Sequence, residues 1–140
     1  MEDISCEICG KKMNEPEVKL NVGKHREVPL CKECYKRFMN VRQEILTMIG
    51  RKCLYKHLQP YMFKRVVVYS VEWLEQYLNK HTALVSGITE DASVVLGYLN
   101  VRAITFYAFP RNPMQPVLEV VIPYEVILVE AKRRYLDGGS

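Results

Sequence analysis

The alternation of apolar and polar positions divides the N-terminal part of the chain into a hairpin and a helix. Residues 18–22 and 28–30 alternate apolar with polar side chains around a glycine, which predicts two antiparallel strands joined by a turn. Apolar residues then recur at every third or fourth position from Tyr35 to Met48. That spacing predicts one amphipathic helix, which starts around Cys31 and ends near Gly50.

The pattern changes after residue 50 and becomes a mixture of short strands and helices. Residues 54–58 predict a short helix, and residues 66–69 predict a brief buried strand. Ser70 is a favourable N-cap for an amphipathic helix over residues 71–80.

Strand-forming residues dominate the last third of the chain. Residues 103–109 and 117–122 are rich in β-branched and aromatic side chains, and a proline-punctuated loop separates them. Residues 124–136 end on a basic turn, which the helix macrodipole favours. We therefore predict two strands around a loop, followed by a C-terminal helix.

Residues 82–100 carry the pattern of a helix-turn-helix. Ala83 stands four residues before Gly87, which suits close helix packing followed by a left-handed turn, and Thr89 can cap the next helix. Because two predicted strands follow, the sequence predicts a winged-helix-like domain. Residues 90–100 contain no Lys or Arg, so either DNA is held by other elements or this domain docks onto a protein.

Four of the five cysteines fall in two C-x-x-C pairs, Cys6 with Cys9 and Cys31 with Cys34. Two such pairs around a hairpin, the second at the start of a helix, are typical of treble-clef and zinc-ribbon modules. Four soft thiolates favour zinc over harder ions, so we predict one structural Zn²⁺ bound by these four cysteines. Buried thiols or a redox pair are the alternative, although the βαβ pattern that a thioredoxin-like motif needs is missing.

The segment from Cys6-Glu7-Ile8-Cys9-Gly10-Lys11 to Leu30-Cys31-Lys32-Glu33-Cys34 resembles the N-terminal zinc module of archaeal multiprotein bridging factors. These are transcription-associated proteins, and the resemblance covers roughly the first quarter of the chain. The second half of that family is an all-helical DNA-binding domain, whereas this chain becomes strand-rich. The resemblance therefore implies that the four cysteines are metal ligands, and it implies nothing about binding partners.

These patterns predict an α+β protein of two parts. Residues 1–50 are expected to form a small four-cysteine zinc module of knuckle, hairpin and long basic helix. Residues 51–140 are expected to form the winged-helix-like domain. A chain of 140 residues with 49% apolar side chains is long enough for one ordinary domain or for two small ones that share a core.

Composition and motifs narrow the class of protein. No apolar run approaches the roughly 18 residues that span a bilayer, and the acidic start Met1-Glu2-Asp3 differs from a basic secretory signal, so we expect a soluble cytoplasmic protein in a reducing compartment. The sequence contains no phosphate-binding glycine loop, no G-x-S-x-G and no H-E-x-x-H. We therefore expect that the protein is not an enzyme.

The net charge of +4 is unevenly distributed along the chain. Residues 36–65 hold eight Lys or Arg side chains and one acid, Glu44. Charged residues on a helix often serve only to solvate it, yet so large a local excess favours phosphate contacts. The candidate nucleic-acid contacts are Lys36, Arg37, Arg42, Arg51, Lys52, Lys56 and, at the tip of the predicted wing, Arg111.

The sequence thus predicts a non-enzymatic, zinc-containing protein that binds duplex DNA or is associated with transcription. The alternative is a protein-interaction adaptor that docks on RNA polymerase or a replication complex, with the basic surface secondary. RNA binding is the third possibility. Salt dependence separates the first two, because phosphate contacts release counterions and protein docking need not.

Overall fold

The computed structural model describes residues 4–23, 26–54, 63–80, 84–95, 98–108, 114 and 116–138. Its helices are α1 (Lys32–Lys52), α2 (Val71–Lys80) and α3 (Tyr124–Leu136). Its strands are β1 (Ile4–Ser5), β2 (Lys12–Met13), β3 (Val18–Gly23), β4 (Arg26–Leu30), β5 (Cys53–Leu54), β6 (Phe63–Val67), β7 (Leu84–Val95), β8 (Tyr98–Ala108) and β9 (Val117–Pro123).

The predicted N-terminal hairpin and helix are confirmed. Strands β3 and β4 pair antiparallel, and their alternating apolar residues, among them Val22 and Leu30, are buried on one face. Helix α1 buries a stripe at three- and four-residue spacing that includes Phe38 and Ile45. It continues two residues beyond Gly50, because glycine permits a helical conformation at a modest cost.

Strands β1 and β2 pair antiparallel with each other, and strands β5 to β9 form one mixed sheet in the order β5-β7-β8-β9-β6. Strand β8 pairs antiparallel with β7 on one side and with β9 on the other, while β5 and β6 pair in parallel with β7 and β9 at the two edges. The predicted strands are therefore confirmed over residues 103–108 of β8 and 117–122 of β9, and residue 109 lies outside the described part of the chain.

The helix-turn-helix predicted over residues 82–100 is wrong. Strand β7 occupies Leu84–Val95 and pairs antiparallel with β8, with Thr89 opposite Thr105. The segment is rich in Val, Ile and Thr, whose branched side chains lose rotamer freedom in a helix and pack well on a sheet. Without that helix pair, the winged-helix architecture is not confirmed.

Two smaller predictions differ from the structure around the edge strands. Residues 66–69 were expected to form a buried strand, but edge strand β6 ends at Val67. Val68 is buried, whereas Val67 and Tyr69 are 56% and 73% exposed. Leu54, the first residue of the short helix predicted over residues 54–58, belongs to β5, and residues 55–58 lie outside the described part of the chain.

Helices α2 and α3 have the predicted bounds. The hydroxyl of Ser70 accepts a hydrogen bond from the backbone N–H of Trp73 at 3.1 Å, as expected for an N-cap. Helix α3 begins at Tyr124, directly after β9, and buries Ile127 and Leu128.

The buried side chains of both halves form one continuous cluster, from Phe38 of α1 to Phe106 of β8 and Ile127 of α3. The ring of Phe38 meets that of Tyr124 edge to face at a centroid distance of 5.2 Å. The division at residue 50 stays a prediction. Within the described ranges, no helix is long and apolar enough to cross a membrane.

Candidate metal centre

Cys6 and Cys9 lie in a tight turn between β1 and β2. The N–H of Gly10 donates to the carbonyl of Cys6 at 2.9 Å, and the N–H of Cys6 donates to the carbonyl of Lys11 at 2.8 Å. Gly10 adopts a φ of 78°, a left-handed conformation that glycine reaches without steric cost. The glycine after the second cysteine therefore closes the turn that directs both thiols to the same side.

Cys31 and Cys34 are supplied by the junction between β4 and α1. The N–H of Tyr35 donates to the carbonyl of Cys31 at 2.9 Å, which places Cys34 on the first turn of the helix. A backbone hydrogen bond of 2.9 Å from Glu7 to the carbonyl of Pro29 fixes the N-terminal turn against the hairpin. The knuckle, the hairpin and the helix thus meet at one point.

The four sulfur atoms converge at that point. The Sγ atoms of Cys6, Cys9, Cys31 and Cys34 all lie within 4.8 Å of one another. The Sγ atoms of Cys9 and Cys31 are 3.8 Å apart, far more than the approximately 2.05 Å of a disulfide. An ion at about 2.3 Å from each vertex of a sulfur tetrahedron would separate the sulfurs by about 3.8 Å, so the spacing fits one tetrahedral metal ion.

The electrostatics of the cluster also fit a cation. Burial works against ionisation of Cys6, but hydrogen bonds from the backbone N–H groups of Cys9, Cys31 and Ile8 outweigh it and lower its pKa to about 7. Burial, together with the neighbouring thiols, raises the pKa of Cys34 far above the usual range. Burial likewise raises the pKa of Cys9. Ionisation of one thiol therefore makes ionisation of its neighbours less favourable. A divalent cation among the four sulfurs offsets this electrostatic repulsion.

Arg37 forms a second layer around the sulfur cluster. Its Nη1 donates to Cys34 Sγ at 3.2 Å, and its guanidinium carbon lies 5.1 Å from the centroid of the Tyr135 ring. The sequence prediction treated Arg37 as a phosphate contact and missed this role. The signal was its position three residues after Cys34 on a helix, where side chains share a face.

The set of four thiol donors is typical of a structural metal site and not of a catalytic one. Four cysteine ligands fill a tetrahedron and leave no position for water or substrate, unlike a catalytic site. Cys6, Cys31 and Cys34 belong to the buried cluster, while Cys9 is partly exposed. The arrangement is consistent with one structural metal ion that holds the N-terminal segments together.

The candidate nucleic-acid contacts lie in different surroundings. Lys36 is exposed on α1. Arg42 is largely enclosed, because its Nε donates to the hydroxyl of Tyr124 at 2.8 Å and its guanidinium pairs with Glu90. Arg51 and Lys52 form the end of α1, whereas Lys56 and Arg111 lie outside the described residues.

Comparison with protein-family models, with curated proteins and with solved structures finds no match to this chain. The resemblance to the bridging-factor zinc module is therefore not confirmed beyond the four cysteines themselves. The function has to be argued from the chain's own residues.

Proposed function

We propose that this chain is a non-enzymatic, zinc-containing protein that binds duplex DNA or is associated with transcription. The metal ion is Zn²⁺, because four thiolates at tetrahedral spacing match its ligand preference and leave it no catalytic position. Its role is to join the knuckle, the hairpin and the start of α1 into one rigid unit. The observation that carries the nucleic-acid part is the excess of cations over residues 36–65, which begins on the metal-anchored helix.

Charge pairing within the fold acts on that excess in both directions. Arg42 pairs with Glu90 and Arg65 pairs with Glu119, which reduces the number of free cations in the stretch. Glu44, the one acid in residues 36–65, pairs with Arg134 of α3 at 2.6 Å, so its charge is offset from outside the stretch. Lys36 and Lys64 are exposed. Phosphates that approach Lys36 or Lys64 therefore meet an exposed cation.

A triple substitution tests the proposal. Replacing Lys36, Arg51 and Lys56 by Ala should weaken binding to duplex DNA of any sequence, because phosphate contacts carry no base information. It should also flatten the plot of log affinity against log salt by about 0.9 for each phosphate that is no longer neutralised. Fluorescence anisotropy with a labelled 20-base-pair duplex over a salt series measures both quantities.

The matched control removes the same charge elsewhere. Lys11, Lys19 and Lys132 are exposed and lie outside residues 36–65. Their triple Ala variant should keep most of the affinity and the salt slope. An equal drop in affinity for both variants, or an unchanged affinity for the first, would contradict a phosphate-binding role for the basic stretch.

The second candidate function is a protein-interaction adaptor on RNA polymerase or a replication complex. The observation that favours it is the use of Arg42 inside the fold, where Tyr124 and Glu90 occupy its guanidinium. An adaptor should bind duplex DNA weakly at every salt concentration. The anisotropy series therefore separates the two candidates directly.

A further inference from the structure

A groove between α2 and α3 combines exposed apolar side chains with uncompensated acids. Its volume is about 470 Å³, within the roughly 300–1,000 Å³ typical of ligand sites. Tyr69 and Val71 line one wall, and Val126 and Val129 line the other. Tyr69 and Val129 are 73% and 61% exposed, so one apolar residue of each wall faces solvent, whereas Val71 is buried.

The charges around the groove do not balance. Glu72 and Glu75 project from the first turns of α2, are exposed, and pair with no cation among the described residues. The cations of the opposite wall are already paired: Arg133 with Glu130 at 2.6 Å, and Arg134 with Glu44 at 2.6 Å. The groove therefore presents a net negative charge beside apolar walls.

The aromatic side of the groove is preorganised. The ring of Tyr69 lies 5.9 Å from that of Trp73, which in turn stacks on Tyr77 at 5.2 Å. This aromatic ladder of Tyr69, Trp73 and Tyr77 holds the exposed Tyr69 ring in place. Little side-chain conformational entropy is therefore lost when a ligand binds. An electron-rich ring next to two carboxylates is favourable for a guanidinium, which can stack on the ring and donate to the acids at once.

We propose that this groove binds an arginine-bearing, otherwise apolar segment of a partner protein. The valines accept the apolar side chains, Tyr69 stacks on a guanidinium, and Glu72 and Glu75 pair with it. Nucleic acid is disfavoured here, because the two acids repel phosphates. The groove shares no residue with the basic stretch of residues 36–65.

The test uses the full-length protein and a matched set of probes. The probes are fluorescein-labelled peptides of sequence Gly-Leu-Arg-Leu-Arg-Leu-Gly, the same peptide with both arginines replaced by citrulline, and a 12-nucleotide oligo(dT). Fluorescence anisotropy measures affinity. Trp73 is the chain's one tryptophan, so its emission, followed with unlabelled peptide, reports occupancy beside Tyr69.

We expect the arginine peptide to bind about tenfold more tightly than the citrulline peptide, which has the same shape without the charge. Glu72→Gln combined with Glu75→Gln should bring the two affinities to within about a factor of two. The control, Glu15→Gln with Glu27→Gln, removes the same charge from exposed sites on the N-terminal hairpin region and should retain the difference. Tyr69→Ala should weaken the arginine peptide and abolish the change in Trp73 emission.

Three results would overturn the proposal. The first is equal affinity for the arginine and citrulline peptides, or no binding of either. The second is tight binding of oligo(dT) that Tyr69→Ala removes, which would make the ladder a base-stacking surface. The third is self-association that Tyr69→Ala abolishes in sedimentation velocity, which would make a second copy the occupant. Because Tyr69, Glu72 and Glu75 are exposed, circular dichroism should show all variants folded.

Discussion

Arg37 is a residue that connects the sulfur cluster to helix α3. One end of its guanidinium donates to Cys34 Sγ at 3.2 Å, and its carbon lies over the ring of Tyr135 in α3. The hydrogen bond to sulfur is the main reason why the pKa of Arg37 is raised. A tetrathiolate site with a divalent ion carries a net charge of about −2, so a nearby cation stabilises the loaded state.

Removing this side chain should therefore weaken metal binding. We expect Arg37→Ala to lower zinc affinity by about tenfold or more, as loss of an outer-layer partner commonly does. Competition with a chromophoric chelator measures that affinity. Arg26→Ala is the matched control, because Arg26 pairs with Glu7 and Glu125 and not with a sulfur. Unchanged zinc affinity with reduced thermal stability would mean that Arg37 serves only to pack against Tyr135.

At the scale of elements, α1 is attached to both α3 and the sheet through Arg42. Its Nε donates to Tyr124 Oη, its guanidinium carbon lies 5.9 Å from that ring, and it pairs with Glu90 of β7. Only 14% of the Arg42 side chain is exposed. A partly buried cation with two polar partners contributes more to stability than a surface ion pair does.

Arg42→Ala should lower the free energy of unfolding by about 2 kcal/mol, since it removes a hydrogen bond and leaves Glu90 without its partner. Lys36→Ala, an exposed change on the same helix, should alter it by less than about 0.5 kcal/mol. Urea denaturation followed by circular dichroism gives both values. A double-mutant cycle with Tyr124→Phe isolates the hydrogen bond. If Arg42→Ala lowers the free energy of unfolding no more than Lys36→Ala does, Arg42 does not connect α1 to α3 and the sheet. Its guanidinium would then be free to contact phosphates.

Local signals predicted most of the elements, and non-local pairing explains the failures. The N-cap residue Ser70 marks the start of α2, and the buried face of α1 follows from the three- and four-residue spacing of its apolar side chains. Both predictions were therefore confirmed. The prediction for β7 was wrong because its pairing with β8, not its own spacing, decides its conformation. The four sulfurs were predictable because each pair is local in sequence. The groove was not predictable, because Tyr69 and Val129 are far apart in sequence and line the same groove only when α2 packs near α3.

At the scale of the whole molecule, the metal centre and the sheet share one hydrophobic core. Cys6, Cys31 and Cys34 belong to the same buried cluster as Phe106 of the sheet and Ile127 of α3. Loss of the metal would leave thiols with raised pKa values packed beside that core. Because burial is continuous, we expect the metal-free chain to be less stable throughout and not only in its knuckle.

The metal content of the purified chain tests the four-cysteine zinc site most directly. Native mass spectrometry and elemental analysis should find one zinc per chain. Cys31→Ser should lose the zinc and the folded N-terminal segment, because three thiolates cannot complete the tetrahedron. Cys53→Ser, which changes the fifth cysteine and leaves the cluster intact, should keep a full equivalent of zinc. A wild-type chain that is fully folded without metal, with the thiols of Cys6, Cys9, Cys31 and Cys34 all free, would contradict a structural zinc site.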